Sequence, residues 1–348
     1  MEKEKIRVLV VDDAAFMIKA VSDLLANDPQ IEVLGSARNG QEGLEKIKAL
    51  QPDVITLDVD MPVMDGLRTV RHIMIENPVP VVMLSSLFSD GAITFEALRL
   101  GVVDFLPKPS GAISQDIEEA KHQIIDRVKI AASVNMYNIH RVKIDPNESD
   151  SQLEDRYTFQ PLDYMVAIGT TLGGPNTVIR LLAQLSPKLP AAVVVQQEIS
   201  YKILEAFVRK FDEHVAWRIE VARDGQPIEQ GTCYIGTTDQ SITLDADEDG
   251  GAFLRIETEK PARPLNDLFT SVANVFESRA IGVLLTGVGD DGADGFGVIR
   301  SRSGVTIAQT TNTCVYPNLT EYAIERGTVD HVVDEVDLAA RIEVSMNP

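Results

Sequence analysis

The feature that most constrains the fold is an alternation of short apolar runs with amphipathic stretches, beginning at Val8 and ending near Leu106. The runs Val8–Val11, Val54–Leu57, Val79–Leu84 and Val102–Leu106 (the last broken by Asp104) read as parallel strands buried on both faces. Between them, Ala15–Ala26, Gly40–Leu50, Gly66–Glu76 and Gly91–Leu100 are amphipathic at helical spacing. With Ile31–Leu34 as a short strand, five βα units predict a doubly wound α/β sheet.

A polar helix, Gln115–Ala132, follows. The stretch His140–Pro161 is poor in apolar residues, carries a turn signal at Asp145-Pro146, and reads as a linker. Strand signals resume at Met165–Ile168, Ala192–Gln196, Ile281–Thr286 and Val305–Ala308. Helical patterns interleave at Asn176–Leu185, Lys202–Phe211, Leu265–Ser278 and Ala323–Arg326, so the second half is α/β with a mainly parallel sheet. The 348 residues fit two domains, with expected bounds 1–122 and 162–348 and a helix and linker over 123–161.

Charge narrows the partners. With 32 basic and 53 acidic residues the net charge is −21, which argues against nucleic acid and against anionic lipid. Two cysteines, Cys233 and Cys314, make no disulfide framework and suit a reducing compartment. The apolar stretch in the first residues is too short for a signal peptide, and no run approaches the ~20 residues of a membrane span. A cytoplasmic protein without membrane insertion is expected.

Ligands of open α/β sheets gather at the carboxyl ends of the strands. Here those ends carry Asp12-Asp13, Asp58, Ser85-Ser86 and Leu106-Pro107-Lys108-Pro109. Three carboxylates together are costly without a hard cation, and Mg²⁺ suits their oxygens. A carboxylate beside Mg²⁺ and a lysine can attack phosphorus and become an aspartyl phosphate. Metal and lysine would neutralise the phosphoryl oxygens, while the hydroxyl hydrogen-bonds one of them.

The segments VVDD (Val10–Asp13), TLDVDMPVMDG (Thr56–Gly66), MLSS (Met83–Ser86) and FLPKP (Phe105–Pro109) resemble those of a response-regulator receiver domain. The resemblance implies a flavodoxin-like fold with Asp58 as phosphoacceptor. It also implies Mg²⁺ held by Asp12, Asp13, Asp58 and the backbone carbonyl of Asp60. Ser85 becomes the switch hydroxyl, Phe105 the switch aromatic and Lys108 the phosphate-binding lysine.

In the second half, Met165–Leu185 reads as strand, glycine-rich turn and helix, able to present a hydroxyl nucleophile or cradle a phosphate. No G-x-G-x-x-G or P-loop lysine accompanies it, and the next strand ends in Gln196-Gln197 without an acid for a ribose, which disfavours a nucleotide. Val283–Ile299 is a second strand, glycine turn and helix, with Asp290 and Asp291 at the turn. A buried aspartate there commonly orients a histidine in a hydrolase triad.

Together these halves resemble the chemotaxis protein-glutamate methylesterase (CheB) family. The supporting segments are LSSLFSDG (Leu84–Gly91), VDFLPKPSG (Val103–Gly111), AIGTTLGG (Ala167–Gly174), VVVQQ (Val193–Gln197), RPLNDLF (Arg263–Phe269), LLTGVGDDGADG (Leu284–Gly295) and TIAQ (Thr306–Gln309). The resemblance implies a Ser-His-Asp triad that demethylates, and for some glutamines deamidates, chemoreceptors. It further implies a chemotaxis histidine kinase as phosphodonor, with phosphorylation relieving a receiver-imposed block of the cleft.

The chain departs from the pattern at the triad. The family's G-A-S-T-G-G places the nucleophilic serine on Thr171 and the next residue on Leu172; its Q-H places the base on Gln197. A further family histidine falls near Ser241, and the G-M-P segment becomes Tyr316-Pro317-Asn318-Leu319. Asp291 alone is kept, and it is expected to cap the helix after its turn. A carboxamide takes no proton at neutral pH, and threonine's methyl crowds a tight turn. The histidines, His72, His122, His140, His214 and His331, fall on none of the family's catalytic positions. Glu198 would face away from Thr171, because adjacent strand residues point to opposite faces. The expectation is a receiver with Mg²⁺ and an effector without cofactor or triad, binding chemoreceptors or other chemosensory array proteins. The alternative is an active methylesterase and glutamine deamidase using Thr171 with a non-standard base.

Overall fold

The computed structural model describes residues 5–85, 91–108, 115–139, 162–247 and 251–346. The expected linker His140–Pro161 lies outside them. Two compact units result, one containing residues 5–85 and 93–139, the other 162–247 and 251–346.

In the first unit β1 (Ile6–Val11), β2 (Ile31–Ala37), β3 (Val54–Asp58), β4 (Val81–Ser85) and β5 (Asp104–Pro107) form a parallel sheet of order β2-β1-β3-β4-β5. Every residue of β3 and β4 is buried, as strands covered by helices on both faces must be. Helices α1 (Ala15–Ala26), α2 (Gly40–Leu50), α3 (Gly66–Glu76) and α4 (Gly91–Leu100) fall where the periodicity placed them. Asn39 caps α2 by accepting from the Glu42 amide, and Asp65 caps α3 by accepting from Arg68. β4 begins after Pro80, whose ring nitrogen donates no hydrogen bond, rather than at Val79. Helix α5 (Gln115–Ala131) packs on β3, β4 and β5.

The second unit is built on β6 (Tyr164–Thr170), β7 (Ala191–Gln197), β8 (Arg218–Val221), β9 (Thr232–Thr237), β12 (Ala280–Leu284), β13 (Val305–Gln309) and β14 (His331–Val333). These form a seven-stranded parallel sheet of order β14-β13-β12-β6-β7-β9-β8. Strands β10 (Ser241–Ala246) and β11 (Ala252–Glu257) form a separate antiparallel hairpin. The helices are α6 (Gly174–Gln184), α7 (Tyr201–Asp212), α8 (Pro264–Phe276), α9 (Ala293–Ser301), α10 (Asn318–Glu325) and α11 (Leu338–Ser345). One core cluster joins α8, α9 and the hairpin to the sheet through Phe269, Phe296, Leu244 and Val194. Among the described residues no helix is long and apolar enough to cross a membrane.

Both sheets reverse direction of growth beside their first strand. The first does so between β1 and β3, the second between β6 and β12. At each reversal the outgoing loops splay apart, leaving a crevice at the carboxyl edge.

Candidate functional site

In the first crevice Asp12 directly follows β1 and Asp58 ends β3. Both are buried and Asp13 is exposed; one oxygen from each of the three lies within 4.8 Å of the others. The backbone aims them, since Asp12 Oδ1 accepts from the Ala14 amide at 2.9 Å and Asp58 Oδ1 from Val59 at 2.7 Å. Lys108, just past β5, places its ammonium 2.7 Å from both Asp12 and Asp58. Its amide donates to the Ser85 carbonyl at 2.9 Å, tying the ends of β5 and β4 together. Ser85 and Phe105 are buried on these neighbouring strands, whereas the Asp60 side chain is exposed two residues beyond Asp58.

The turn after β3 is held close. A Cβ on Gly66 would come 2.2 Å from the Asp58 carbonyl oxygen, so a side chain there would push the turn off the strand end. Burial pushes the Asp58 carboxyl up, against the pull of Lys108. For Lys108 burial acts downward, but its hydrogen bonds to Asp12 and Asp58 outweigh it and the pKa is raised. One ammonium against three carboxylates leaves two negative charges uncompensated in an all-oxygen donor set. That set fits Mg²⁺.

A raised carboxyl pKa means that the charged form is the costly one in the folded state. Its contribution to stability is present below the unfolded pKa and is lost as pH rises through the folded value. Asp58→Asn is therefore expected to raise the urea midpoint at neutral pH. The gain should vanish below the ordinary aspartate range, where both forms are uncharged. A lowered midpoint at neutral pH would contradict this.

In the second crevice Thr171 follows β6, and its hydroxyl is fully engaged. Oγ1 accepts from the Val288 amide at 2.6 Å and donates to the Val288 carbonyl at 3.0 Å. The two turns are laced further by Thr170 Oγ1, which donates to the Thr286 carbonyl at 2.6 Å. The Thr286 hydroxyl accepts from the Tyr316 amide at 2.9 Å, and the Thr286 amide donates to Gln309 Oε1 at 3.0 Å. Asn318 Oδ1 accepts from Gly289 at 2.6 Å, so the segment Tyr316–Leu319 is bonded across the top of β12. Gly173 caps α6 at φ 76, and a Cβ there would meet Val315 at 2.9 Å.

Gln197 ends β7 and is the register partner of Thr170, which puts it at the same sheet edge as Thr171. It is wholly buried, and neither Oε1 nor Nε2 has a hydrogen-bond partner among the described residues. Glu198, one residue past the end of β7, is exposed. Among the histidines, His72 contacts Glu76, His214 the Lys210 carbonyl and His331 Arg341; His140 lies outside the described residues.

Asp291 behaves differently from the expectation that it caps the helix after its own turn. That helix, α9, is capped by Gly292 without a side chain. Asp291 instead accepts from the amides of Leu265 at 2.7 Å and Asn266 at 3.1 Å, capping α8 across the fold. Arg263, the formal N-cap of α8, supplies no acceptor, and Asp291 fills the need. Burial raises the Asp291 carboxyl while three backbone amides hold it down. Asp291→Ala is expected to cost about 1 kcal/mol in chemical unfolding, and Asp291→Asn part of that, because asparagine keeps one acceptor oxygen but turns its NH2 toward an amide that the second oxygen served. Equal losses in both variants would show that the cap contributes little.

Residues 8–118 match the response regulator receiver domain, and residues 166–342 match the family model CheB methylesterase. The chain belongs to the CheB methylesterase family. A Geobacillus kaustophilus relative named protein-glutamate methylesterase/protein-glutamine glutaminase is 41% identical, with 97% of each chain covered. A relative of the same name from Caldanaerobacter subterraneus is 38% identical over 95% of this chain and 94% of its own. Among solved structures, the Thermotoga maritima CheB methylesterase catalytic domain is 25% identical with TM-score 0.49, covering 53% of this chain and 99% of that one. The response regulator domain of Thermotoga maritima CheB is 43% identical with TM-score 0.35, covering 38% and 99% respectively. This CheB-family chain is thus a chemotaxis response regulator with a receiver in front of a methylesterase domain. Sequence reasoning did not single out Val288, Thr286 or Gln309, which hold the CheB domain's two turns together.

Proposed function

We propose that the chain is a cytoplasmic regulator phosphorylated on Asp58 by a chemotaxis histidine kinase, whose effector works by binding. In this reading the receiver (1–122) is joined through 123–161 to the effector (162–348). Asp12, Asp13, Asp58 and the Asp60 carbonyl would hold Mg²⁺, which when bound neutralises phosphoryl oxygens. Asp58 supplies the attacking oxygen, Lys108 moves from the carboxylates to the transferred group, and Ser85 donates to it. Ser85 and Phe105, on adjacent strands, would then carry the change across the β4–β5 edge.

For the effector, the observation that carries the binding reading is the state of Thr171. Its proton is committed to the Val288 carbonyl, and the group at the base position, Gln197, cannot accept one. A pseudoenzyme built this way would engage the cytoplasmic part of a chemoreceptor, or another array protein, without turnover. The relatives' names favour a second reading, an active methylesterase and glutaminase using Thr171. Full-length protein, phosphorylated or not, should release no methanol from methyl-labelled receptor. Methanol that appears with wild type and is lost in Thr171→Ala would select the second reading.

A further inference from the structure

We propose that His331 is an acid-sensitive latch that holds the last helix, α11, against the edge of the seven-stranded sheet. β14 is the outermost strand beside β13 and has only three residues, His331–Val333. Helix α11 packs on α6 and β13 and buries Leu338 and Ile342 completely. Across the joint between helix and strand, the Arg341 guanidinium donates from Nη2 to His331 Nε2. An arginine side chain can only donate, so the bond requires a neutral imidazole with no proton on Nε2.

The surroundings make that requirement hard to evade. Arg341 Nε is buried with no hydrogen-bond partner among the described residues, so the guanidinium is already short of acceptors. A proton on Nε2 would remove one more and set two cations together in a half-buried site. The nearest relief is Asp330, which is already committed. It accepts from the Thr306 amide at 3.0 Å and hydroxyl at 2.9 Å, and pairs with Arg300 of α9 at 2.8 Å. Glu335, just before α11, is paired with Arg180 of α6, and Glu343 of α11 accepts from the Ser186 amide at 3.5 Å. Asp334 is exposed, and β13 lays only Ile307 beside His331.

Burial and the Arg341 charge hold the imidazole below the ordinary histidine range, against a smaller upward pull from Asp330. The fold thus favours the neutral ring. Its contribution to stability is complete above the unfolded value of about 6.5 and is lost as pH falls from there toward the folded value. Acid then loosens α11 first. Helix α6, which leads out of the turn that carries Thr171, loses the helix packed on it.

Hydrogen exchange of full-length protein tests the latch, read by mass spectrometry at about pH 7.5 and about pH 5.5, either side of the histidine range, and corrected for intrinsic rates. Protection of residues 338–345 is expected to fall about fivefold on acidification, while that of α8 holds steady. His331→Gln keeps a neutral acceptor at both pH values, so the change there should stay below about twofold. Arg341→Met removes the opposing cation and serves as a second variant, with the same expectation, if His331→Gln does not fold by circular dichroism. Unchanged protection of 338–345 in wild type would overturn the proposal, as would a fall of the same size in the folded variant. A fall shared equally by α8 would mean global acid unfolding and would overturn it too.

Discussion

Full-length protein treated with acetyl phosphate and Mg²⁺ is expected to gain one phosphoryl group, on Asp58, and Asp58→Asn none. Asp58 is the buried member of the trio that ends a strand, with Oδ1 pinned by Val59 and Oδ2 paired with Lys108. Attack on phosphorus requires the carboxylate, and burial pushes its pKa up. Chelating the metal should abolish labelling, since one lysine cannot neutralise three carboxylates and an incoming phosphoryl group. Lys108→Ala removes both 2.7 Å ion pairs and is expected to cost at least about tenfold in labelling rate, or about 1.4 kcal/mol. Intact-mass spectrometry reads all of these. An unmodified wild type under saturating donor and metal would remove Asp58 from its assigned role.

The receiver crevice was legible because its chemistry is local to strand ends. Each of Asp12, Asp58, Ser85 and Lys108 closes or follows an apolar run, and parallel strands bring such ends to one edge. The effector was less legible, because its decisive contacts are long-range. Thr171 and Val288 are 117 residues apart, and nothing in either glycine turn announces that one hydroxyl locks both. Asp291 misled for a related reason. A turn followed by a helix suggests a local cap, but Gly292 already fills that place at φ 96, leaving the carboxylate for α8. Strands β8 and β9 also escaped notice. Arg218–Val221 is a four-residue edge strand alternating half-buried with buried positions, and Thr232–Thr237 is buried throughout but short and interrupted by Gly236. The β10–β11 hairpin lies outside the main sheet and matches none of the strand signals read from the sequence.

Thr171→Ser combined with Gln197→His is expected to confer methanol release that wild type lacks. The scaffold for a triad persists even though two side chains differ. Gly173 and Gly174 keep the tight turn into α6, and Asp291 stands at the turn after β12. Serine removes the methyl, so Oγ can leave Val288 and rotate toward the crevice. A histidine at the end of β7 supplies the missing base, whose help is typically worth about 10²–10⁴-fold. It also replaces a carboxamide that is unpartnered among the described residues, so no existing side-chain hydrogen bond is lost. The obstacle is Asp291, whose oxygens are engaged by Leu265, Asn266 and Gly292. An orienting aspartate must spare a lone pair for the new imidazole. A carboxylate accepts about four hydrogen bonds and this one accepts three, so capacity for one more exists. Each single substitution should stay near background, because a hydroxyl without a base and a base without a free hydroxyl fail alike. Activity in Gln197→His alone, removed by Thr171→Ala, would instead show that threonine serves as nucleophile once a base is supplied. The missing proton acceptor would then be the whole defect.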